Sequence, residues 1–259
     1  VTSIKTASPL GDQAIMWVFA YQVDDVVFDG GCANAIPELR AFLAKRDVNR
    51  VFVTHLHEDH YGGCAAFLPK ASLYAGPRTI EAIEDPYEIP EFFQWVWGKP
   101  NPIQDVEAMP SEIPVGELTF EVVDLSGHCE EMVGFWEPEK RWLFSADAVP
   151  LASKKHIAMA EENVPKMIRR MREIQQMGVK ILFDGHRGPI SNPQNHIQTR
   201  IDYLTELQRK IQDLHNTGKS LQDIKLDLKF PEPWYLSNTD GRFGVDYLIE
   251  SLLSDEVIL

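Results

Sequence analysis

The chain has 259 residues, 44% of them hydrophobic and 25% charged, a composition that buries a sizeable core and matches ordinary soluble globular proteins. Its net charge of -14 counts against nucleic acid as a partner, because such a surface repels phosphate backbones unless the fold gathers a basic stripe. No apolar run approaches the length needed to span a bilayer, which argues against a membrane partner.

The elements follow in chain order. Residues 14 to 23 and 26 to 28 read as two strands joined by a turn at Asp24-Asp25, the second running out at Asp29-Gly30-Gly31. From Ala35 to Lys45, Ile36, Leu39, Phe42 and Leu43 keep helical spacing, with Pro37 tolerated in the first turn. Val51 to Val53 is a buried strand, and where it gives out the chain continues Thr54-His55-Leu56-His57-Glu58-Asp59-His60-Tyr61-Gly62-Gly63. His55 and His57 stand two apart, so in an extended segment both rings project to one side and can grip a single ion. Asp59 and His60 follow on a turn that must bend before Gly62-Gly63, where they would face a second ion. Imidazoles and a carboxylate without thiolates suit zinc, iron or manganese, in a site that keeps a coordination position for water.

Ala71 to Tyr74 is a further strand and Arg78 to Ile83 a short helix. Residues 85 to 110 hold Pro86, Pro90, Pro100, Pro102 and Pro110 beside Tyr87, Phe92, Phe93, Trp95 and Trp97. This stretch is either a cap that walls the site for an apolar substrate or a surface loop pinned by its own aromatics. Leu118 to Leu125 is a strand leading to Ser126-Gly127-His128-Cys129, and residues 132 to 145 make a hairpin that ends at Ala146-Asp147. Helical spacing from Val164 to Met177 stops at Gly178, and the strand from Lys180 to Phe183 leads to Asp184-Gly185-His186-Arg187-Gly188-Pro189. The remainder is helical, with one face set by Ile197, Ile201, Leu204, Leu207 and Ile211, then helices near 221–228 and 245–253. In both halves a strand ending on Asp is followed by a helix and a strand ending on His, Asp29 with His55 and Asp147 with His186. Two such halves facing each other bring all four strand ends to one edge.

The order His55-x-His57-x-Asp59-His60, then His128, Asp147 and His186, resembles the metallo-β-lactamase-fold hydrolase superfamily in its glyoxalase II-like and thioesterase-like branch. The resemblance implies a four-layer αββα sandwich, with a catalytic core over residues 1–190 and a helical C-terminal extension packed on that core over 191–259. It assigns His55, His57 and His128 to a first divalent ion and Asp59, His60 and His186 to a second. Asp147 would bridge the two, and Asp29 would orient a ligand from behind. Zinc is the expected metal, with iron or manganese as alternatives. Relatives carry Gly where this chain has Ala146, and often Thr or Ser where it has Cys129.

The implied chemistry is a metal-bridging hydroxide attacking a carbonyl, that of a thioester or lactone, with Asp59 taking part in proton transfer. Arg187 is a candidate for holding a substrate carboxylate or, alternatively, a salt-bridge residue; Tyr61, Trp95, Trp97, Tyr235 and Arg242 are candidates for lining the pocket. His156, His196 and His215 have no evident partners and receive no role. The competing readings are a phosphodiesterase or endoribonuclease, for which Lys154-Lys155 and Arg169-Arg170-Arg172 are the only short basic tracts, and a mononuclear-iron persulfide dioxygenase. Cys32, Cys64 and Cys129, odd in number and widely spaced, suit reduced thiols and a cytoplasmic location, although a chain starting at Val1 leaves a removed targeting segment open. A small-molecule substrate and a homodimer through the C-terminal helices complete the expectations.

Overall fold

Phe28 lies against Phe135 with ring centroids 4.4 Å apart, and this contact joins the two sheets of a computed structural model that describes residues 1–10, 13–14, 16–151 and 156–254. The first sheet has the order β1 (Thr2–Thr6), β4 (Val18–Val23), β5 (Val26–Phe28), β6 (Arg50–Phe52), β7 (Ser72–Ala75) and β8 (Glu107–Ala108). The second runs β15 (Gly188–Ser191), β14 (Ile181–Asp184), β12 (Trp142–Ala146), β11 (Val133–Glu137), β10 (Leu118–Asp124) and β9 (Glu112–Val115). Two small ribbons pair β2 (Pro9–Leu10) with β3 (Gln13–Ala14) and β13 (Ala158–Met159) with β16 (Phe243–Gly244). The helices are α1 (Ile36–Leu43), α2 (Glu58–Tyr61), α3 (Pro77–Glu84), α4 (Glu91–Trp97), α5 (Val164–Met177), α6 (Gln194–Asn216), α7 (Leu221–Leu228) and α8 (Val245–Leu253).

The central strands are apolar on both faces because both are covered, and the period of two sorts their side chains into two cores. Phe28, Phe52, Phe144 and Phe183 point between the sheets, while Val27, Val51, Leu143 and Leu182 point outward beneath the helices. This is the αββα layering. β5 pairs with β6 and β12 with β14 in parallel, each through a crossover helix, α1 in one half and α5 in the other. Parallel partners start and stop together, so Asp29, His55, Asp147 and His186 emerge at one rim. α5 begins where the Asn163 side chain accepts from the Lys166 N–H at 2.9 Å, and ends at Gly178 in the left-handed region with φ 65.

Several elements differ from expectation. The proline-rich stretch contains α4, whose Phe93, Val96 and Trp97 are buried. Prolines flank that helix at Pro90 and Pro100 and leave its interior free to form. β1, β9 and β15 are not evident from pattern; each is a strand at a sheet edge. Residue 190 falls inside β15, and the helices beyond it pack back on the core, with Ile201, Leu204 and Ile249 buried beside Ile168 and Met171 of α5. Lys154 and Lys155 lie outside the described residues. Among the described residues no helix is long and apolar enough to cross a membrane.

Candidate metal centre

Five chain segments deliver the titratable cluster. The end of β6 supplies His55 and His57, and the single turn of α2 supplies Asp59 and His60. The loop after β10 supplies His128, the end of β12 supplies Asp147, and the turn after β14 supplies His186. All except Asp147 and His186 are buried outright. Three groups of ligand atoms each gather within 4.8 Å: His55, His57 and His128; His55, His60 and Asp147; Asp59, His60 and His186. His57 Nδ1 lies 3.1 Å from His55 Nε2 and 2.9 Å from His128 Nε2. A tetrahedral ion with nitrogen ligands at about 2.0–2.1 Å separates them by about 3.3 Å, so the spacing is close to that of an ion cage. Asp147 stands between the two sides. Its Oδ2 is 3.2 Å from His186 Nε2 and 3.5 Å from His128 Nε2, and its Oδ1 is 3.5 Å from His60 Nε2.

Each imidazole is held from behind. His55 Nδ1 is 3.0 Å from Thr54 Oγ1, His128 Nδ1 is 2.8 Å from Glu162 Oε1, and His60 Nδ1 is 2.9 Å from Asp29 Oδ2. His186 Nδ1 lies 2.7 Å from the Trp17 carbonyl, and His57 Nε2 lies 3.3 Å from Glu161 Oε1. Acceptors at the outer nitrogens let each imidazole, in its neutral form, aim the lone pair of its inner nitrogen into the cluster, the arrangement a metal demands of its ligands. The fit shows also in two buried atoms that face each other at 3.5 Å: among the described residues, neither His60 Nε2 nor Asp147 Oδ1 makes a hydrogen bond. Such groups are costly unless an ion satisfies them. Gly185 is required here, since a Cβ on it would come within 2.7 Å of Asp147 Oδ1 and 3.0 Å of His60 Cε1. Ala146 adopts φ 44 at the β12 irregularity, a left-handed conformation that costs any residue with a Cβ, so the chain bears a local strain there.

Charge is unevenly spread over the cluster. Burial and the neighbouring His60, His57 and His128 hold His55 well below its ordinary pKa. Burial opposes the charged form of His60 too, but the Asp59 and Asp29 carboxylates, with Asp147 beside its inner nitrogen, overcome it and hold it well above. His186 is raised in the same way, against burial, by Asp147 and Asp59. His60 and His186 therefore keep protons that an entering ion must expel, whereas His55 is already neutral. Metal affinity is thus expected to fall with falling pH, beginning above the ordinary imidazole range because both histidines are raised, and loading at neutral pH to acidify a weakly buffered solution. The metal-free chain has the opposite slope from these two groups, since a raised histidine stabilises fully below its unfolded value and the gain is lost as pH rises through the folded one. Calorimetric titration in buffers of different ionisation enthalpy checks the proton count.

The other candidates divide into those at the cleft and those with structural work elsewhere. Trp97 is buried with its ring 6.2 Å from that of His186, and it lines the cleft together with Met16, Phe93, Met159, Arg242 and Phe243. Arg187 does not reach that cleft. It sits in the turn between Asp184 and Gly188, which pair across β14 and β15, and the turn folds its guanidinium back on Asp184 Oδ2 at 2.6 Å and on the Val149 and Pro150 carbonyls. Tyr61 is 1% exposed and packs in the core, Trp95 is 44% exposed on the outer face of α4, and Tyr235 stacks on Phe92 at 6.2 Å. None of these three lines the cleft. His156 has partners after all, Tyr203 Oη at 3.1 Å and the Phe230 ring. The cysteines are free and buried; Cys129 donates to the Glu131 carbonyl, and burial pushes its thiol up to about 12, which leaves it inert. Sequence reasoning misses Glu58, Glu161 and Glu162 and places Arg242 only as a pocket residue. Their signal is tertiary, Glu162 reaching His128 across 34 positions and Arg242 reaching Glu58 across 184.

Comparison with known proteins decides the family. The metallo-beta-lactamase superfamily profile matches residues 15–186, which include all seven clustered side chains. The chain belongs to the metallo-beta-lactamase superfamily. Within it, the chain is 25% identical over 199 residues to an atrochrysone carboxyl ACP thioesterase of Aspergillus fumigatus, covering 75% of this chain and 57% of that one. It is 29% identical over 129 residues to a hydroxyacylglutathione hydrolase of Bdellovibrio bacteriovorus, covering 48% and 43%. The chain thus spans about half the length of the curated relatives it matches. A metallo-beta-lactamase family protein of Thermus thermophilus shares the fold with a TM-score of 0.63 at 18% identity, over 96% of this chain and 93% of that one.

Proposed function

We propose that this member of the superfamily is a hydrolase of acyl compounds, acting on a thioester or lactone with two divalent ions, zinc foremost. The observation that carries the reading is the wall of the cleft. Beside the ligand cluster stand Met16, Phe93, Trp97, Met159 and Phe243, and the one arginine among the lining residues is already bound to a carboxylate, with Arg242 Nη1 donating to Glu58 Oε1 at 2.7 Å. Such a wall suits an uncharged acyl group, whereas a nucleic-acid backbone also needs a track of free basic side chains leading to the ions. Arg170, in the basic tract of α5, is likewise engaged, by Asp124 and Glu173. Two relatives named for thioester cleavage and acylglutathione hydrolysis support the same class.

His55, His57 and His128 would hold one ion and Asp59, His60 and His186 the other, with Asp147 shared. Those residues would thereby supply a site where divalent ions lower the pKa of water and polarise a carbonyl oxygen. Asp59 faces the cleft with Oδ2 3.5 Å from His186 Nε2 and 3.8 Å from His60 Nε2, placed to accept the proton of an attacking water. Trp97, Phe93 and Phe243 exclude solvent and seat the apolar acyl group. Protein purified without added metal is expected to carry close to two ions per chain and, with zinc, to cleave acyl thioesters or lactones in preference to bis(p-nitrophenyl) phosphate. A single iron per chain with oxygen-dependent turnover of a persulfide, or faster turnover of the phosphodiester, would overturn it.

A further inference from the structure

Glu58 sits between His57 and Asp59, yet its carboxylate joins none of the three ligand groups. It is 1% exposed and wholly engaged elsewhere. Arg242 Nη1 donates to Oε1 at 2.7 Å and Nη2 to Oε2 at 3.1 Å, a two-pronged pair, while the Tyr87 hydroxyl donates to Oε2 at 3.0 Å. The guanidinium also lies 5.1 Å from the ring centroid of Phe93, on the inner side of α4. Arg242 is itself fixed, because its N–H donates to the Thr239 carbonyl at 2.9 Å and the next residues, Phe243 and Gly244, pair with Met159 and Ala158. Two residues beyond Met159 comes Glu161, the acceptor for His57 Nε2.

α2, the element this network holds, cannot hold itself. It is four residues long, and its N-cap, His57, makes no side-chain cap. A single helical turn has no stability of its own, so the directions of His57 and Asp59 must come from tertiary contacts. We propose that Arg242 is a positioning residue of the metal centre: carried in by the C-terminal segment, it clamps Glu58 and thereby sets His57 Nδ1 and the Asp59 carboxylate, with Tyr87 locking the same Glu58 carboxylate from the proline-rich stretch. This rests on the reading of the cluster as a metal centre. The segment after residue 190 is then part of the active site and not an appendage to it.

The test uses the full chain loaded with cobalt(II), whose visible absorption reports ligand geometry without any substrate. Arg242→Ala and Glu58→Gln are expected to alter that spectrum and to weaken cobalt binding, measured by chelator competition, by about 10–100-fold. Arg242→Lys, which keeps the charge and loses the fork, should recover part of the loss. The double variant should lose no more than the worse single one, since both remove one contact. Should Arg242→Ala fail to fold, Glu58→Gln carries the same comparison, because it keeps the side-chain shape. Folded variants that melt at a lower temperature yet keep wild-type spectrum and affinity would overturn the proposal and reduce the pair to a structural tie. A wild-type protein that binds cobalt but cleaves no acyl substrate would instead sink the hydrolase reading and leave the Arg242 comparison intact.

Discussion

Asp147→Ala is expected to leave the chain with one ion at most and to lower kcat by about 10²–10³-fold, the equivalent of several kcal/mol of lost charge stabilisation. The reason is position. Its carboxylate lies within 3.5 Å of His60, His128 and His186, so it touches both halves of the cluster. Burial resists its ionisation, but His186 and His60 hold its pKa well below the ordinary value. Removing the anion leaves buried cations without their counter-charge, a loss of about 3–5 kcal/mol in the metal-free protein. By linkage, a lowered carboxyl contributes stability above its unfolded value near pH 4, and the contribution disappears as pH falls through the folded value. The difference between wild type and Asp147→Ala should therefore shrink on acidification. Elemental analysis, steady-state kinetics and thermal unfolding at several pH values check the three parts. Two retained ions with unchanged kcat would contradict the assignment.

Asp29→Ala is expected to weaken metal binding about 10–100-fold while touching no ion. Asp29 Oδ1 accepts from the Thr54 N–H at 2.8 Å, Oδ2 accepts from His60 Nδ1 at 2.9 Å, and the Thr54 hydroxyl donates to the same carboxylate. Thr54 in turn contacts His55 Nδ1 at 3.0 Å, so one buried carboxylate orients ligands of both proposed ions. Alanine would orphan three buried donors, each costing about 1–3 kcal/mol. It would also have to adopt φ 61, which Asn accepts far more readily than Ala. Asp29→Asn is accordingly the milder change, expected to keep the fold and part of the affinity. Chelator competition and denaturant unfolding of both variants separate the orienting role from the backbone cost. Equal affinity in wild type and Asp29→Ala would show that His60 needs no support from behind.

What is legible in the sequence follows from periodicity. Phe28, Phe52, Phe144 and Phe183 sit in short runs rich in apolar residues at successive positions, which marks strands covered on both sides. The 14-residue α5 can be read to its last residue, because Pro165 in its first turn and Gly178 after it are local signals. The histidine spacing after β6 likewise announces its chemistry, since two positions along an extended chain put two rings on one side. β1, β9 and α4 are not legible, because an edge strand needs only a partner and a seven-residue helix is decided by what its aromatics bury.

Alone, the sequence determined the layered α/β class, the candidate ligand residue types and the rim where strands ending on Asp and His converge, all of which depend on neighbours a few residues apart. Only the tertiary structure decided which groups stand behind those ligands and which line the cleft: Glu162 behind His128, Arg242 on Glu58, Trp97 inside, Arg187 and Trp95 elsewhere. The first two of those pairings meet across 34 and 184 positions of chain, and no local rule of spacing or propensity acts over such a separation. They are brought together by the packing of two sheets and the return of the C-terminal segment.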